Sequence, residues 1–261
     1  MIVNGKMGKG KNRRHRINNG WAMSKSNKCL IIIPAYNEAE NIEKVVNNLI
    51  DNYPQYDYII VNDGSRDDTE KICLRNHYQV LNLPINMGIG GAVQTGYCYA
   101  RDNDYEMAVQ IDGDGQHDVS FLEEMIEPIE SGQADIVIGS RFVEKEGFQS
   151  SQIRRVGINF LSILAWLLTG VRVKDITSGY RVVNKYFINV FAEDYPADYP
   201  EPEAMVIAAV YGGKIQEHPV VMRERENGES SITLKKSVYY MIKVTLAMLI
   251  RRVSFGIRRK R

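Results

Sequence analysis

Residues 29–50, CLIIIPAYNEAENIEKVVNNLI, decide the fold of this chain. The apolar run Cys29–Pro34 is short and continuous, which is typical of a strand buried within a parallel sheet. Apolar residues then recur over residues 42–50 with the i, i+3, i+4, i+7 spacing of one helix face. The segment therefore predicts a buried strand followed by an amphipathic helix, which is the repeating unit of α/β proteins.

The same alternation of strand and helix continues to residue 140. It predicts four further strands, Tyr58–Val61, Gln79–Leu83, Glu106–Ile111 and Ala134–Ile138. Such alternation is typical of a doubly wound, mostly parallel sheet, in which ligands bind beyond the carboxyl ends of the strands. Polar residues collect at those ends, namely Asn37, Glu38, Asp63, Asp112, Asp114, Ser140 and Arg141. We therefore expect a binding site at this edge of the sheet.

The segment Asp112-Gly113-Asp114-Gly115-Gln116 follows one of these strands. Two carboxylates two residues apart can turn the same way and share one divalent cation, and hard cations of this kind commonly hold phosphates. A lone D-x-D is more readily explained as a solvated acidic turn, because Asp and Gly are ordinary turn residues. Its place among the other strand-end residues favours a metal-diphosphate site.

The second half of the chain is less regular. It predicts a turn rich in phosphate-binding groups at Asp175–Arg181, an apolar helix at Ala204–Tyr211 and a strand at Lys214–Met222. A mostly apolar helix at Ile153–Leu168 is either buried or in contact with a membrane interface, and is too short to span a bilayer. In the last helix, residues 235–257, one sector holds Lys236, Lys243, Arg251, Ser254 and Arg258. This pattern favours a basic amphipathic helix on a membrane surface, with a helix docked on the domain as the alternative.

Charge is distributed unevenly along the chain. The 261 residues have a net charge of only +1, but residues 1–28 hold eight Lys and Arg and residues 235–261 hold nine, with no Asp or Glu in either segment. Residues 29–234 hold 16 basic and 32 acidic residues, a net charge of −16. An acidic globule with two basic ends does not suit a nucleic-acid partner, whereas its basic ends suit an anionic membrane surface.

The cysteines and the N-terminal segment bear on location. Cys29, Cys73 and Cys98 lack metal-site spacing and are typical of a reducing cytosol. Residues 1–28 lack the apolar centre of a secretory signal, and their composition predicts disorder. Because Met23 precedes the first strand, residues 1–22 are either an extension upstream of the true start or a genuine basic tail. We expect a cytoplasmic protein, peripheral on the inner face of the cell membrane.

Six motifs occur in order over roughly residues 29–231. They are Ile33-Pro34-Ala35-Tyr36-Asn37-Glu38, Asn62-Asp63-Gly64-Ser65, Asn86-x-Gly88, Asp112-Gly113-Asp114-Gly115-Gln116, Gly139-Ser140-Arg141 and Asp175-x-x-Ser178-Gly179-Tyr180-Arg181. With them the chain resembles family 2 glycosyltransferases of the GT-A fold, in the polyprenyl-phosphate branch that includes the dolichol-phosphate mannose synthases. The resemblance implies a GT-A domain at 29–231, after a basic disordered extension at 1–28 and before a basic amphipathic, membrane-surface helix and tail at 232–261.

The resemblance also implies roles for individual residues. A donor nucleotide would contact Pro34, Tyr36, Glu38, Asp63, Asp112 and Arg225. Mg²⁺ or Mn²⁺ would be held by Asp112, Asp114 and Gln116. An acceptor phosphate would be held by Arg141, Lys174 and Ser178, and Asp114 and Arg141 would take part in catalysis. Asn62 and Lys174 replace an Asp and an Arg common in the mannose synthases, so mannose is not implied.

The implied reaction is the inverting, metal-dependent transfer of a sugar from a UDP- or GDP-sugar to a polyprenyl phosphate. A phosphate monoester is already ionised near pH 7, because its second pKa is about 6, and it attacks without a strong base. The alternative acceptor is a saccharide hydroxyl in capsule or cell-wall polymer synthesis, which needs a base. Glu203 is the candidate base, although a carboxylate at a helix N-terminus is also explained by the helix dipole.

Two further questions remain open at this point. A non-catalytic module that binds a nucleotide sugar at the membrane is a third hypothesis, against which the intact Asp112, Asp114 and Arg141 argue. The oligomeric state is undecided, with a homo-oligomer among the options.

Overall fold

The computed structural model describes residues 29–144, 152–223 and 234–258, and the expected basic extension at 1–28 lies outside them. The strands are β1 (Cys29–Ala35), β2 (Asp57–Asn62), β3 (Val80–Asn82), β4 (Met107–Gln110), β5 (Ile136–Ser140), β6 (Arg181–Asn184) and β7 (Ile215–Pro219). The helices are α1 (Ile42–Asn52), α2 (Thr69–Arg75), α3 (Gly88–Asp102), α4 (Leu122–Glu130), α5 (Gln152–Thr169), α6 (Lys185–Glu193), α7 (Pro200–Val210) and α8 (Leu234–Arg258).

All seven strands belong to one sheet in the order β3-β2-β1-β4-β6-β5-β7. Strand β6 pairs antiparallel with β4 and with β5, while the other neighbouring strands pair parallel. This confirms the predicted α/β class with a mostly parallel sheet flanked by helices and a C-terminal helix. Because β1, β2 and β4 are parallel neighbours, their carboxyl ends meet at one edge of the sheet.

The core lies on both faces of the sheet. In β1, Leu30 and Ile32 pack into one apolar layer and Ile31 and Ile33 into the other, as the alternation of side chains along a strand requires. The first layer is covered by α3, α5, α6, α7 and α8, and the second by α1, α2 and α4. Burial on both faces explains why β1 is a continuous apolar run rather than an alternating one.

The structure differs from the predicted elements mainly in the second half. Strand β6 and helix α6 were not predicted, and Arg181, assigned to a turn, is the first residue of β6 and only 1% exposed. Helix α7 begins at Pro200 instead of Ala204, and β7 is shorter than the predicted Lys214–Met222. In the first half, the predicted strands are present with shifts of one or two residues at their ends.

Helix α3 packs closely on β1 at Gly96, and this contact gives a stability prediction. A Cβ built on Gly96 would clash with the side chain of Ile32, which is buried in β1 and has no room to move. We expect Gly96→Ala to lower the free energy of unfolding by about 1–3 kcal/mol, measured by urea denaturation. Gly157→Ala is the control, because its new methyl would meet only the flexible side chain of Met241. Equal stabilities of the two variants would contradict this packing.

Candidate functional site

A cavity of about 430 Å³ opens at the carboxyl ends of β1, β2 and β4. It is lined by Pro34, Ala35, Tyr36, Glu38, Asp63, Asn86, Gly88, Ile89, Ala92, Asp112, Gly113, Asp114 and Glu201. The structure therefore brings six residues predicted for the donor or metal site into one cavity. These six are Pro34, Tyr36, Glu38, Asp63, Asp112 and Asp114.

Asp63 follows β2 on one side of β1 and is held by the backbone. Its amide donates to the carbonyl of Ala35 at 2.9 Å, and its Oδ1 accepts from the amide of Met87 at 2.7 Å. Asp63 thus joins the end of β1 to the loop that leads into α3. Gly64 has a φ of +64°, and a Cβ there would lie 2.7 Å from the Asn86 nitrogen, so this close approach of two loops requires glycine.

Asp112 and Asp114 come after β4, on the other side of β1. Oδ1 of Asp114 accepts from the amide of Gln116 at 3.0 Å, and the amide of Asp112 donates to Nδ1 of His117 at 3.0 Å. Between them Gly115 has a φ of +76°, which turns the chain sharply. These bonds fix the loop, and both aspartates line the cavity.

His117 beneath this loop is a neutral imidazole. It is buried, and burial lowers its pKa to about 4 even though Asp114 opposes this shift. Neutrality agrees with Nδ1 accepting a hydrogen bond, which leaves the proton on Nε2. The 3.6 Å contact from Nε2 to Oδ2 of Asp112 is therefore not an ion pair. The ring stacks on Tyr180, with centroids 5.0 Å apart, and this packing supports the Asp112 loop from below.

The candidate ligands for a divalent cation are two carboxylates, those of Asp112 and Asp114. Within the described ranges, no group of three or more His, Cys, Asp or Glu side chains is arranged to hold a metal ion. Asp112 and Asp114 do provide hard oxygen ligands, so they suit Mg²⁺ or Mn²⁺ if the ligand completes the coordination. Gln116, the predicted third ligand, does not line the cavity, and its carbonyl accepts from the amide of Arg223 at 2.9 Å.

Gly179 lies directly against the Asp112 carboxylate. A Cβ on Gly179 would be 3.1 Å and 3.2 Å from the two carboxylate oxygens and 3.2 Å from Nε2 of Gln110. These distances are shorter than ordinary contacts, so even one methyl group would push the carboxylate aside. The glycine of the Ser178-Gly179-Tyr180-Arg181 motif therefore provides the space in which Asp112 sits.

Arg141, predicted to hold an acceptor phosphate, forms a buried ion pair with Asp175. Its Nε and Nη2 each donate to a different carboxylate oxygen at 2.7 Å, and its amide donates to the same group at 3.1 Å. Nη2 also donates to Oγ1 of Thr177 at 3.1 Å. This bidentate pair orients the guanidinium plane and ties the end of β5 to the loop before β6.

The other two residues predicted for the acceptor site are placed differently. Ser178 is 1% exposed, and its hydroxyl has no hydrogen-bond partner among the described residues. It lies in the same loop as Asp175, close to Arg141 in the structure. Lys174 is exposed, and its amide donates to Glu217 at 2.8 Å. Arg225, predicted for the donor site, lies outside the described residues.

Glu203, predicted as a base, is not among the residues that line the cavity. It lies on the opposite side of α7, where its Oε2 is 3.8 Å from Nε of Arg251 in α8. Glu201 lines the cavity instead. Residues two apart on a helix are separated by a rotation of about 200° around the helix axis and so lie on nearly opposite sides. Only one of the two carboxyl groups can therefore face the sheet edge.

The sequence prediction missed three residues that shape the site: Glu201, Asp175 and Gly179. Asp175 and Gly179 stand in a motif that had been recognised, but their contacts with Arg141 and Asp112 depend on the fold. Glu201 had a detectable signal. Pro200 before it is typical of the first residue of a helix, and locating the helix start there would have separated Glu201 from Glu203.

Comparisons of the chain with known proteins agree on one family. The model of the family described as "Glycosyl transferase family 2" matches residues 30–190. A UDP-N-acetylglucosamine–dolichyl-phosphate N-acetylglucosaminyltransferase of Methanococcus voltae is 35% identical over 73% of this chain and 83% of its own length. A polyprenol monophosphomannose synthase of Mycolicibacterium smegmatis is 29% identical over 79% of this chain and 81% of its own length.

Solved structures show the same fold. Glucosyl-3-phosphoglycerate synthase of Mycobacterium tuberculosis, in complex with Mn²⁺ and UDP-glucose, superposes with a TM-score of 0.64 at 20% identity, covering 87% of this chain and 79% of that protein. The same enzyme with phosphoglyceric acid gives a TM-score of 0.64 at 18% identity, covering 87% of this chain and 80% of that protein. The mixed sheet described above is thus a GT-A fold.

The contact between Gly179 and Asp112 leads to a prediction about metal binding. We expect Gly179→Ala to weaken Mn²⁺ binding in the presence of a nucleoside diphosphate by about 10- to 100-fold, because its methyl displaces one of two carboxylate ligands. Calorimetric titration of Mn²⁺ measures this effect, and a thermal melt checks that the variant is folded. Gly157→Ala serves as the control, and unchanged Mn²⁺ affinity in a folded Gly179→Ala protein would rule out Asp112 as a ligand.

Proposed function

The chain belongs to glycosyl transferase family 2 and is a glycosyltransferase, and on this premise we propose that it transfers a sugar from a UDP- or GDP-sugar to a polyprenyl phosphate with inversion of the anomeric centre. The observation that carries the proposal is the cavity at the carboxyl ends of β2, β1 and β4, in which Asp63, after β2, and Asp112 and Asp114, after β4, lie on either side of β1. We infer that an extended ligand with a nucleoside and a diphosphate lies across the end of β1 between these groups.

The donor half of the site follows from the cavity. We place the nucleoside against Pro34, Tyr36, Glu38 and Asp63, and the diphosphate beside Asp112 and Asp114. A bound Mg²⁺ or Mn²⁺ would neutralise charge that develops on the leaving diphosphate. The two Asp side chains would hold this ion together with diphosphate oxygens, and Gln116 remains the proposed third protein ligand. Asp114 keeps its orientation through the Gln116 amide, so the ligand is ordered before the donor binds.

The acceptor half rests on Arg141 and its surroundings. The relatives named above act on dolichyl phosphate or polyprenol phosphate. A phosphate group near Arg141 would meet a guanidinium already oriented by Asp175, with the Ser178 hydroxyl in the same loop. The exposed Lys174 would contribute a further positive charge. Such an acceptor is ionised at neutral pH, so orientation rather than proton removal is what the protein must supply.

The alternative acceptor, a saccharide hydroxyl, receives less support. A hydroxyl needs a base, and the residue predicted for that role, Glu203, lies on the side of α7 that faces α8. The phosphate acceptor needs no such group.

Helices α5 and α8 lie side by side and run in the same direction. Gly157 packs near Met241 at one end of the pair, and Arg252 donates to the carbonyl of Leu168 at 2.7 Å near the other. Each helix buries one face in the core and exposes an apolar stripe on the other. The exposed residues are Val156, Phe160, Ile163, Trp166 and Leu167 on α5, and Tyr239, Ile242, Leu246, Leu249, Ile250 and Val253 on α8.

Two residues of the basic sector of α8, Arg251 and Lys243, lie near acidic side chains of the protein. Nη1 of Arg251 bonds both oxygens of Asp194 at 2.7 and 2.9 Å, and Lys243 lies 3.7 Å from Asp198. The apolar stripes are therefore the better candidates for contact with a bilayer. No helix in the described ranges has the length and apolar content to cross a membrane. We propose that the α5–α8 surface binds the membrane peripherally, on the cytosolic face, where a lipid-linked acceptor is reached.

The first test of this function concerns the metal ligands. We expect Asp114→Ala to reduce transfer by at least about 10²- to 10³-fold, because electrostatic stabilisation of the leaving diphosphate is lost. Purified protein is incubated with labelled UDP- and GDP-sugars, Mn²⁺ and a polyprenyl phosphate, and label in the butanol phase is counted. Asp102→Ala, a change at an exposed carboxylate at the end of α3, is the control. Full turnover by a folded Asp114→Ala protein would contradict the assignment of Asp114 as a metal ligand.

The second test concerns the membrane surface. We expect Leu246→Asp on α8 and Leu167→Asp on α5 each to weaken binding to vesicles containing anionic lipid by about tenfold, because an apolar side chain is replaced by a charge at the interface. Co-sedimentation measures the binding. Leu74→Asp on α2 is the matched control, since Leu74 is 55% exposed and Leu246 is 52% exposed.

These point variants are preferable to deleting α8. Val244 and Met248 of α8 are fully buried, so a deletion would open the core as well as remove the surface. If all three variants bind vesicles equally well, the proposed membrane surface is contradicted. If the wild-type protein is a dimer that dissociates in the α5 and α8 variants, the exposed apolar surface serves self-association instead.

A further inference from the structure

The cavity is lined by five acidic side chains, and four of them already have a place in the proposed function. Glu38 and Asp63 are proposed to contact the nucleoside and Asp112 and Asp114 the diphosphate, and all four line the cavity. Glu201 is the fifth, and none of the roles discussed so far uses it. No Lys or Arg is among the described residues that line this cavity. A ligand portion that meets Glu201 must therefore bring its own hydrogen-bond donors.

Glu201 lines the same cavity as Asp112 and interacts electrostatically with it. Burial raises the pKa of Glu201, the guanidinium of Arg181 opposes this shift, and the carboxylate of Asp112 adds to it. Arg181 is itself buried at the start of β6, where its Nε donates to the carbonyl of Ser178 at 2.8 Å. A buried arginine thus compensates part of the repulsion between Glu201 and Asp112.

The backbone at Glu201 is unusually constrained. Pro200 and Pro202 flank it in the first turn of α7, and both are buried. Each proline ring fixes its own φ near −65°, so this turn has little freedom to reorient. On the far side of α7, Glu203 lies beside Arg251 of α8, which also donates to Asp194. The side chain of Glu201 is therefore presented from a rigid base, as a residue that discriminates between ligands requires.

We propose that Glu201 is the specificity-determining residue for the transferred sugar, and that its carboxyl group accepts hydrogen bonds from hydroxyl groups of a hexose attached to the diphosphate. This inference rests on the proposed function, because it takes the donor to be a nucleotide sugar. The sugar is the part of such a donor that follows the diphosphate, and its hydroxyl groups supply the hydrogen-bond donors that Lys and Arg, absent from the described lining, do not. A carboxyl oxygen is an acceptor for them in either protonation state.

The test compares ligands that differ only in the sugar. Calorimetry with Mn²⁺ measures the affinity of wild type and Glu201→Ala for UDP-glucose, UDP-N-acetylglucosamine, GDP-mannose, UDP and GDP. We expect Glu201→Ala to lower the affinity for the preferred nucleotide sugar by about 10- to 100-fold, which is the usual effect of losing hydrogen bonds to a charged group. Its affinity for the matching nucleoside diphosphate should stay within about twofold. Glu193→Ala, at an exposed carboxylate at the end of α6, is the control for the loss of one negative charge.

Three results would overturn the inference. An equal change in affinity for the nucleotide sugar and the nucleoside diphosphate would assign Glu201 to general electrostatics. Unchanged donor binding with transfer reduced more than about a hundredfold would make it a base or an acceptor-binding residue. Binding of none of the five nucleotides by wild type would overturn the proposed function, and this inference with it, whereas the first two results leave the proposed function standing.

A second variant guards against misfolding and sharpens the assignment. Glu201→Gln keeps the shape of the side chain and one acceptor oxygen. We expect Glu201→Gln to weaken binding of the nucleotide sugar less than Glu201→Ala does. We also expect Glu201→Gln and wild type to bind a donor that lacks the contacted hydroxyl with equal affinity. An equal loss for every monodeoxy donor would show that no hydroxyl of the sugar contacts Glu201.

Discussion

The buried ion pair between Arg141 and Asp175 holds the site together. It joins the end of β5 to the loop before β6, and that loop carries Gly179 and Tyr180. Gly179 leaves room for the Asp112 carboxylate, and Tyr180 stacks on the imidazole that accepts from the Asp112 amide. Removing one partner of such a pair leaves an uncompensated buried charge, at a cost of about 3–5 kcal/mol. The geometry of the cavity thus depends on a contact made in the loop before β6, where we propose the acceptor phosphate binds.

Much of the fold was predictable because its strands are buried on both faces. Continuous apolar runs such as Cys29–Pro34 leave few alternatives, and the polar residues at their ends predicted the edge at which the cavity lies. Strand β6 could not be found in this way. It begins with Arg181, whose charge is tolerated at 1% exposure because backbone carbonyls of the preceding loop accept its hydrogen bonds. A residue type that is almost always exposed is buried here by tertiary contacts that no local pattern reveals.

The candidate site was predictable in its residue types more than in its contacts. Motif spacing indicated Asp63, Asp112 and Asp114, which share the cavity, because each directly follows a parallel strand. Glu203 was assigned with a helix expected to begin at Ala204, whereas α7 begins at Pro200 and carries Glu203 on the side that faces α8. The sequence indicated a membrane surface as one location for α5 and α8 but did not identify which apolar residues are exposed, since an apolar helix face looks the same whether it meets the core or solvent.

Helix α8 is already folded and fixed before it meets any other surface. Val244 and Met248 hold it in the core, and Arg251 anchors it to Asp194. Many amphipathic segments become helical only on binding, and the lost chain entropy then subtracts from their affinity. Here that entropy has already been lost during folding of the domain. Attachment through α8 therefore leaves the helix content unchanged, and release from a surface does not require the helix to unfold.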